Sequence, residues 1–310
     1  MAVFSARGAA PRAIDARRAS LGILVAFLAP ALLVYAGFTV YPVLRTFYNA
    51  FHTIKPHSVV EFVGLGNFTA LLSADPVFWK AVTNTALFTL VATTVDVVGG
   101  LALALCLFAR APLAPVLRVV WFTPVLMSYV VAGILWVWIF DYDWGLANAT
   151  LRFIGLGAWE QSWLGQPSTA LWSVLGAHEW KWLGFNMIVF LAALHALPSE
   201  VLGAAELDNC GWLAKLVHII VPMLRTTIVN LTVLSFIGKM MVFDLIWVMT
   251  GGGPLWSTET VSTYVYKRAF EWNTFDLGYP SAIAVLWFAI ILAFVVLITR
   301  LLRPRDRLEF

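Results

Sequence analysis

Seven ionisable side chains stand inside long apolar runs: Asp96, His178, Glu179, Lys181, His195, Lys239 and Asp244. An Asp, Lys or Arg at the centre of a membrane span costs at least about 2.5 kcal/mol, so each should face a cavity, a partner or another charge. Lys239 has two readings: a cavity cation for an anionic or hydroxyl-rich solute, or half of an ion pair with Asp96 or Asp244. Ser235, Gly238, Lys239 and Val242 follow i, i+3, i+4, i+7 spacing and share one helix face. His178, Trp182 and Phe185 make a similar stripe at i, i+4, i+7. Aromatic rings can stack on the apolar face of a solute while polar neighbours read its hydroxyls, although helix packing accounts for Trp182 and Phe185 as well. His178 has no second ligand at metal spacing, so no metal site is expected. Glu179 and Lys181, two apart, point to different faces; a structural or snorkelling role is expected of Lys181. Asp96 stands alone in its run and is expected to pair across helices. No nucleophile, triad or G-x-x-x-x-G-K-[ST] loop is present, so no enzyme is expected, and any energy must come from another polypeptide or an ion gradient.

The elements that must hold these residues are membrane helices. The 310-residue chain is 61% hydrophobic and 12% charged, a balance that a soluble globule cannot solvate. A span needs about 20 apolar residues. Six runs qualify, at about 21–41, 81–109, 119–140, 169–197, 226–250 and 277–299, giving an all-α polytopic membrane protein with six transmembrane helices. Flanking them are an N-terminal tail (1–20) and a C-terminal tail (303–310), with the membrane domain over 21–302. If the N-terminus is inside, twelve Lys and Arg lie on that side and six outside, which puts both termini in the cytoplasm. The net charge of +3 reflects that bias and does not point to nucleic acid. The first run is longer than a signal-peptide core and reads as an uncleaved span. Cys106 and Cys210 read as free thiols. The aromatics of the loops, Phe47, Tyr48, Phe51, Phe78, Trp79, Tyr264, Tyr266, Phe270 and Trp272, suit headgroup level. The glycines before Pro254 must break a helix.

Between the fourth and fifth runs lies a polar insertion at 198–222, which must stand in water or against protein. Small and apolar residues recur at helical spacing in its first part. Trp212, Leu213, Leu216, Val217 and Ile220 share a face in the second, before Pro222.

This insertion resembles the cytoplasmic loop of permease subunits of binding-protein-dependent ABC importers. Pro198, Glu200, Ala204, Ala205, Asp208, Ile219 and Pro222 fall in register with that family's pattern. Gly203 replaces its glutamate, Asn209 its glycine, and Cys210 its usual alanine. Residues 243–254, FDLIWVMTGGGP, and 180–197, WKWLGFNMIVFLAALHAL, are similar to core helices of the carbohydrate-uptake (maltose and glycerol-3-phosphate) branch. The resemblance covers about residues 20–310 and implies the six-helix type I permease core. It implies a second related permease chain, two copies of a cytoplasmic ATPase that bind the ATP and Mg, and a periplasmic or lipid-anchored solute-binding protein. The setting is a bacterial inner membrane and its lipids. By the resemblance, His178, Trp182, Phe185, Ser235, Gly238, Lys239 and Val242 face the sugar. Glu200, Gly203, Ala204, Ala205, Asp208, Asn209 and Leu216 form the ATPase-coupling element. The family carries amides where Lys239 stands, so a phosphate- or sulfonate-bearing solute is one expectation. A neutral di- or oligosaccharide is the other, should Lys239 pair with an acid. An ion-coupled secondary transporter is a rival reading, with only Asp96 and Asp244 to serve it.

Overall fold

A computed structural model describes residues 21–54, 60–109, 113–272 and 276–302. The expected tails at 1–20 and 303–310 lie outside the described residues. The chain divides into two compact units, residues 1–48 and 49–310.

The first unit carries most of helix α1 (21–50), whose side chains from residue 26 to 48 are almost all exposed. The helix extends past the expected span at 21–41, to Ala50. A wider π turn at Ala36–Val40 falls just before Pro42. That turn relieves the clash a proline ring makes with the preceding turn of a regular helix.

The second unit begins with a short hairpin, β1 (His52–Thr53) antiparallel to β2 (Glu61–Phe62), and helix α2 (Gly66–Ala74). Helix α3 (Pro76–Phe108) follows. Asp75 caps it, its Oδ1 accepting from the Phe78 amide at 2.9 Å, with proline in the first turn. The run at 119–140 is not one helix: α4 (Ala114–Leu126) and α5 (Tyr129–Ile139) meet at 105°. Pro124 and the Ser128 cap, whose hydroxyl accepts from Val131, separate the two. After α6 (Leu146–Phe153), the 26-residue α7 (Ala170–His195) forms the centre of the unit. It leads at 75° into α8 (Ser199–Leu207); α9 (Trp212–Met223) then meets α10 (Arg225–Met240) at 70°. A second π turn, Leu216–Ile220, stands just before Pro222 as the first does before Pro42.

The run at 226–250 is also broken. Helix α10 ends at Met240 and α11 spans Asp244–Met249. The ends find partners elsewhere: Trp287 Nε1 donates to the Met240 carbonyl at 2.9 Å and Thr260 Oγ1 to the Val242 carbonyl at 3.1 Å. Helix α12 (Val261–Tyr266) starts on a Thr260–Thr263 capping box, and α13 (Gly278–Leu302) closes the fold. Among the described residues, three helices are individually long and apolar enough to cross a membrane, and up to six if each bent pair counts as one span. The protein is a multi-pass α-helical membrane protein.

Three apolar clusters hold the unit. One joins Phe88 of α3, Ala132 of α5, Val174 of α7 and Leu245 of α11. Another joins Ala104, Met187, Phe190, Ile220 and Leu231. The third joins Leu71, Phe78, Tyr264, Ile283 and Trp287. The last corrects the aromatic-belt reading, since Phe78 and Tyr264 are buried in the core. Tyr264 and Tyr279 donate their hydroxyls to Asp75 Oδ2, as does the Arg268 guanidinium at 3.2 Å, which ties α3, α12 and α13 together. The glycine-rich stretch before α12 is likewise packed, with Asn84 Nδ2 donating to the carbonyls of Trp256 and Glu259, each at 2.9 Å.

Candidate functional site

Residues scattered through the sequence converge where α3, α5, α7 and α10 meet. A cavity of about 310 Å³ is lined by Asp96, Tyr129, His178, Trp182, Phe185, Asn186, Leu234, Ser235, Gly238 and Lys239. Each element contributes for a local reason. Asp96 lies in a π turn of α3, Val95–Gly99, a form of helix that often marks a functional position. Tyr129 opens α5 just past the Ser128 cap. His178, Trp182, Phe185 and Asn186 form a continuous stripe on α7, and Leu234, Ser235, Gly238 and Lys239 one on α10.

Six of the seven residues expected to face solute therefore line one cavity. Val242 does not: α10 has already ended, and its side chain packs with Leu245, Ile246 and Phe88. Asn186 continues the α7 stripe by another helical step, a signal available in the sequence. Tyr129 gave no such signal, because its place depends on the bend before α5.

The charges are paired. Lys239 Nζ and Ser235 Oγ both donate to Asp96 Oδ2, the hydroxyl at 2.9 Å. The ion pair is thus with Asp96. Asp244, the other candidate, is exposed at the start of α11. His178 Nδ1 lies 3.1 Å from Glu179 Oε1. Trp182 Nε1 donates to the Tyr129 hydroxyl at 2.8 Å, and its ring meets that of Phe185 edge to face. Lys181 does not snorkel. It is 2% exposed, and its ammonium donates to the carbonyls of Met127 (2.6 Å), Val125 (3.1 Å) and Pro124 (3.4 Å) at the α4–α5 bend.

Chemically, the cavity offers two aromatic walls, three hydroxyl or amide groups (Tyr129, Ser235 and Asn186) and an internally neutralised charge. Such a surface can bind a hydroxyl-bearing solute. A larger apolar groove of about 660 Å³ between α10, α12 and α13, lined by residues such as Met241, Phe270, Trp287 and Phe288, has no charged group in its wall.

The polar insertion forms a second candidate surface. Helix α8 ends in a Schellman motif, with the Cys210 amide donating to Ala205 O at 2.9 Å and the Asn209 amide to Glu206 O at 3.1 Å. Asn209 has φ +52°, which explains how it stands where the resembling pattern has glycine. Glu200, Ala204 and Asp208 are exposed, Ala205 is buried, and Leu216 is half-buried. A side chain at Gly203 would meet nothing within 4 Å. The expected apolar face of α9 is mostly open: Ile220 is buried, while Trp212, Leu213 and Val217 are exposed.

A family model described as "Binding-protein-dependent transport system inner membrane component" matches residues 96–307. The chain belongs to that family. Among curated relatives of this permease, the sulfoquinovosyl glycerol transport system permease protein SmoG of Agrobacterium fabrum is 32% identical over 290 residues, covering 92% of this chain and 91% of that protein. The trehalose/maltose transport system permease protein MalF of Thermococcus litoralis is 32% identical over 292 residues, 93% of this chain and 96% of that protein. The fold is similar to that of a bacterial alginate ABC transporter solved with a pentasaccharide-bound periplasmic protein, at a TM-score of 0.77 and 20% identity over 91% of this chain and 94% of that one.

Proposed function

We propose that this permease is one transmembrane subunit of an ATP-driven importer for a sugar or sugar derivative in a bacterial inner membrane. It works with a second, related permease, two copies of an ATPase that bind the ATP and Mg, and an extracytoplasmic solute-binding protein. Both termini and α8 face the cytoplasm, where α8 docks into an ATPase cleft. Closure of the ATPase dimer moves α8, and the bundle follows as a packed body. Solute released by the binding protein occupies the α3–α5–α7–α10 cavity on its way through.

The observation that carries this reading is the convergence of Trp182, Phe185, Tyr129, Asn186 and Ser235 on one cavity in a chain of this family. Membrane partition separates solute-binding and coupling surfaces, and this chain has one of each. Because Lys239 is committed to Asp96, the anionic-solute reading loses its free cation, and a hydroxyl-rich solute without net charge is favoured.

The test is ATPase activity of the reconstituted complex with loaded binding protein across neutral and anionic sugars. Trp182→Ala should reduce stimulation by about tenfold, the equivalent of about 1.4 kcal/mol of binding. If no ATPase subunit co-purifies with the chain, the importer reading fails. If Lys239→Ala abolishes stimulation by anionic sugars alone, the neutral-solute reading fails and the cation reads substrate.

A further inference from the structure

We propose that helix α6 lies on the bilayer, its outward face among the lipid headgroups and upper acyl chains, and that it anchors the adjoining end of α7 there. The helix is amphipathic the wrong way round for water. Leu146, Thr150 and Phe153 follow i, i+4, i+7 spacing and point outward, Leu146 at 64% exposure and Phe153 at 90%. Asn148, on the other face, is 0% exposed. Its Nδ2 donates to the carbonyls of Tyr142 and Gln161, each at 3.1 Å, and its Oδ1 accepts from Trp163 Nε1 at 2.8 Å. Arg152 is likewise turned onto its own loop, to Glu160 at 2.8 Å and the Asp143 carbonyl at 3.3 Å. The polar side of α6 thus builds the loop, and the apolar side is left outside. Trp144, Ile154, Leu156 and Trp159 are exposed beside it in the sequence. An apolar face turned outward at the expense of a buried amide needs a cover other than water.

Place and chemistry identify the cover as lipid. The loop joins the end of α5 at Ile139 to the start of α7 at Ala170. Trp144 follows Ile139 by a few residues only, so the chain has no length in which to leave the membrane surface. Helix α7, with 26 residues, is about 39 Å long against a hydrocarbon layer of about 30 Å. The loop therefore stands at the membrane face opposite α8. A protein partner would be met by about one hydrogen bond per 100–200 Å², and the α6 stripe offers none: its one polar group, Thr150 Oγ1, donates to the Leu146 carbonyl at 2.7 Å. The indole N–H groups of Trp144 and Trp159 have no acceptor among the described residues. Exposed rings with a free N–H suit the ester and phosphate oxygens of lipid headgroups, while Leu146, Phe153 and Ile154 suit the upper acyl chains.

The anchor reaches the candidate site through the backbone. Trp163, held by Asn148, gives its carbonyl to the hydroxyls of Thr169 at 2.9 Å and Ser173 at 3.2 Å. Helix α6 and the first turns of α7 are thereby one piece, and α7 carries His178, Trp182, Phe185 and Asn186 of the cavity. Lipid contact at α6 fixes the depth at which that stripe sits. Which leaflet α6 occupies follows from the orientation given under the proposed function; the contact itself does not depend on it.

Site-directed spin labelling of the full chain in lipid nanodiscs, together with whatever subunits co-purify, tests this. With Cys106→Ser and Cys210→Ser removing the two free thiols, nitroxides are placed at Leu146→Cys, Phe153→Cys and, as a water-facing control, Asp143→Cys. All three positions are exposed, so the labels fit without repacking the loop. Labels at 146 and 153 should be relaxed by oxygen and shielded from a water-soluble nickel chelate, and the label at 143 should show the reverse. If 146 and 153 meet the nickel chelate as 143 does, the face stands in water and the proposal is overturned. Shielding of 146 and 153 from both agents shows protein on the face and overturns it too, as does a loss of oxygen access that follows addition of a solute-binding protein. The outcome is independent of whether an ATPase co-purifies, so failure here and failure of the importer reading are separate results.

Discussion

At the scale of single residues, charge inside this fold is used to close chain ends and to join helices. The Lys181 ammonium donates to three carbonyls left open where α4 stops. Lys181→Met keeps the apolar stem and removes the donor, so it should cost about 1–3 kcal/mol from the carbonyls left unsatisfied. The check is the thermal midpoint in detergent against wild type; an unchanged midpoint would show that the bend holds without the ammonium. Asp75 gives a pH prediction. Burial pushes its carboxyl up, but hydrogen bonds from Tyr264, Tyr279, the Phe78 amide and Arg268 outweigh that and hold it below its usual value. A carboxyl held low in the native state stabilises fully above its unfolded value, near about 4, and loses that contribution as pH falls through the native one. Asp75→Asn should lower stability by about 2 kcal/mol at neutral pH and flatten the acid limb of a midpoint-against-pH curve. A variant whose acid limb still matches wild type would show that another group drives the acid loss. Charges such as Asp96, Lys181 and Lys239 were legible in the sequence because each interrupts an apolar run. Their partners were not, since Lys239 and Asp96 are 143 positions apart and three carbonyls leave no mark on residue type.

At the scale of elements, hydrophobicity located the helices but not their bends. A run of apolar residues looks the same whether it is straight or folded back. Residues 119–140 bend by 105° because Pro124, the Ser128 cap and Lys181 offer the backbone groups other partners. Residues 226–250 break because Trp287 and Thr260 do the same for α10. The α7 and α10 stripes were readable from spacing, up to the point where α10 stopped before Val242. What fixes α7 against α4 is Gly184: a Cβ there would collide with the Trp121 carbonyl. That neighbour is backbone and cannot rotate away. Gly184→Ala should therefore destabilise by about 1–3 kcal/mol despite its better helix propensity, as overpacking does. Thermal midpoints of Gly184→Ala and of Gly176→Ala, where nothing lies within 4 Å, separate the effects. If both variants gain stability, propensity outweighs the close approach and α7 has room to shift.

At the scale of the whole molecule, the proposed coupling of the cavity to the polar insertion requires that α8 transmit force. Its attachment has the asymmetry this requires. On the inner side Ala205 is buried and Leu202 packs against the second apolar cluster, while the Lys215–Glu206 pair at 2.8 Å braces α8 against α9. On the outer side Ala204 and Asp208 are exposed, and the place of Gly203 is open. Among the described residues nothing packs on Ala204 or at the place of Gly203 closely enough to bury it, so under the proposed docking changes there should act on the partner alone. Ala204→Trp should leave the chain's thermal midpoint within about 0.5 kcal/mol of wild type, as surface substitutions do. In the reconstituted complex it should abolish uptake while ATP hydrolysis continues without stimulation by loaded binding protein. Gly203→Glu is the opposite arm: an acid at a position with free space costs the fold nothing and, under the proposed docking of α8, would give the ATPase an extra contact. It should leave the midpoint alone and tighten ATPase retention during purification. Uptake unchanged by Ala204→Trp would move the coupling contact off α8, to the exposed Trp212 and Leu213 of α9, where the same substitution series would then be made.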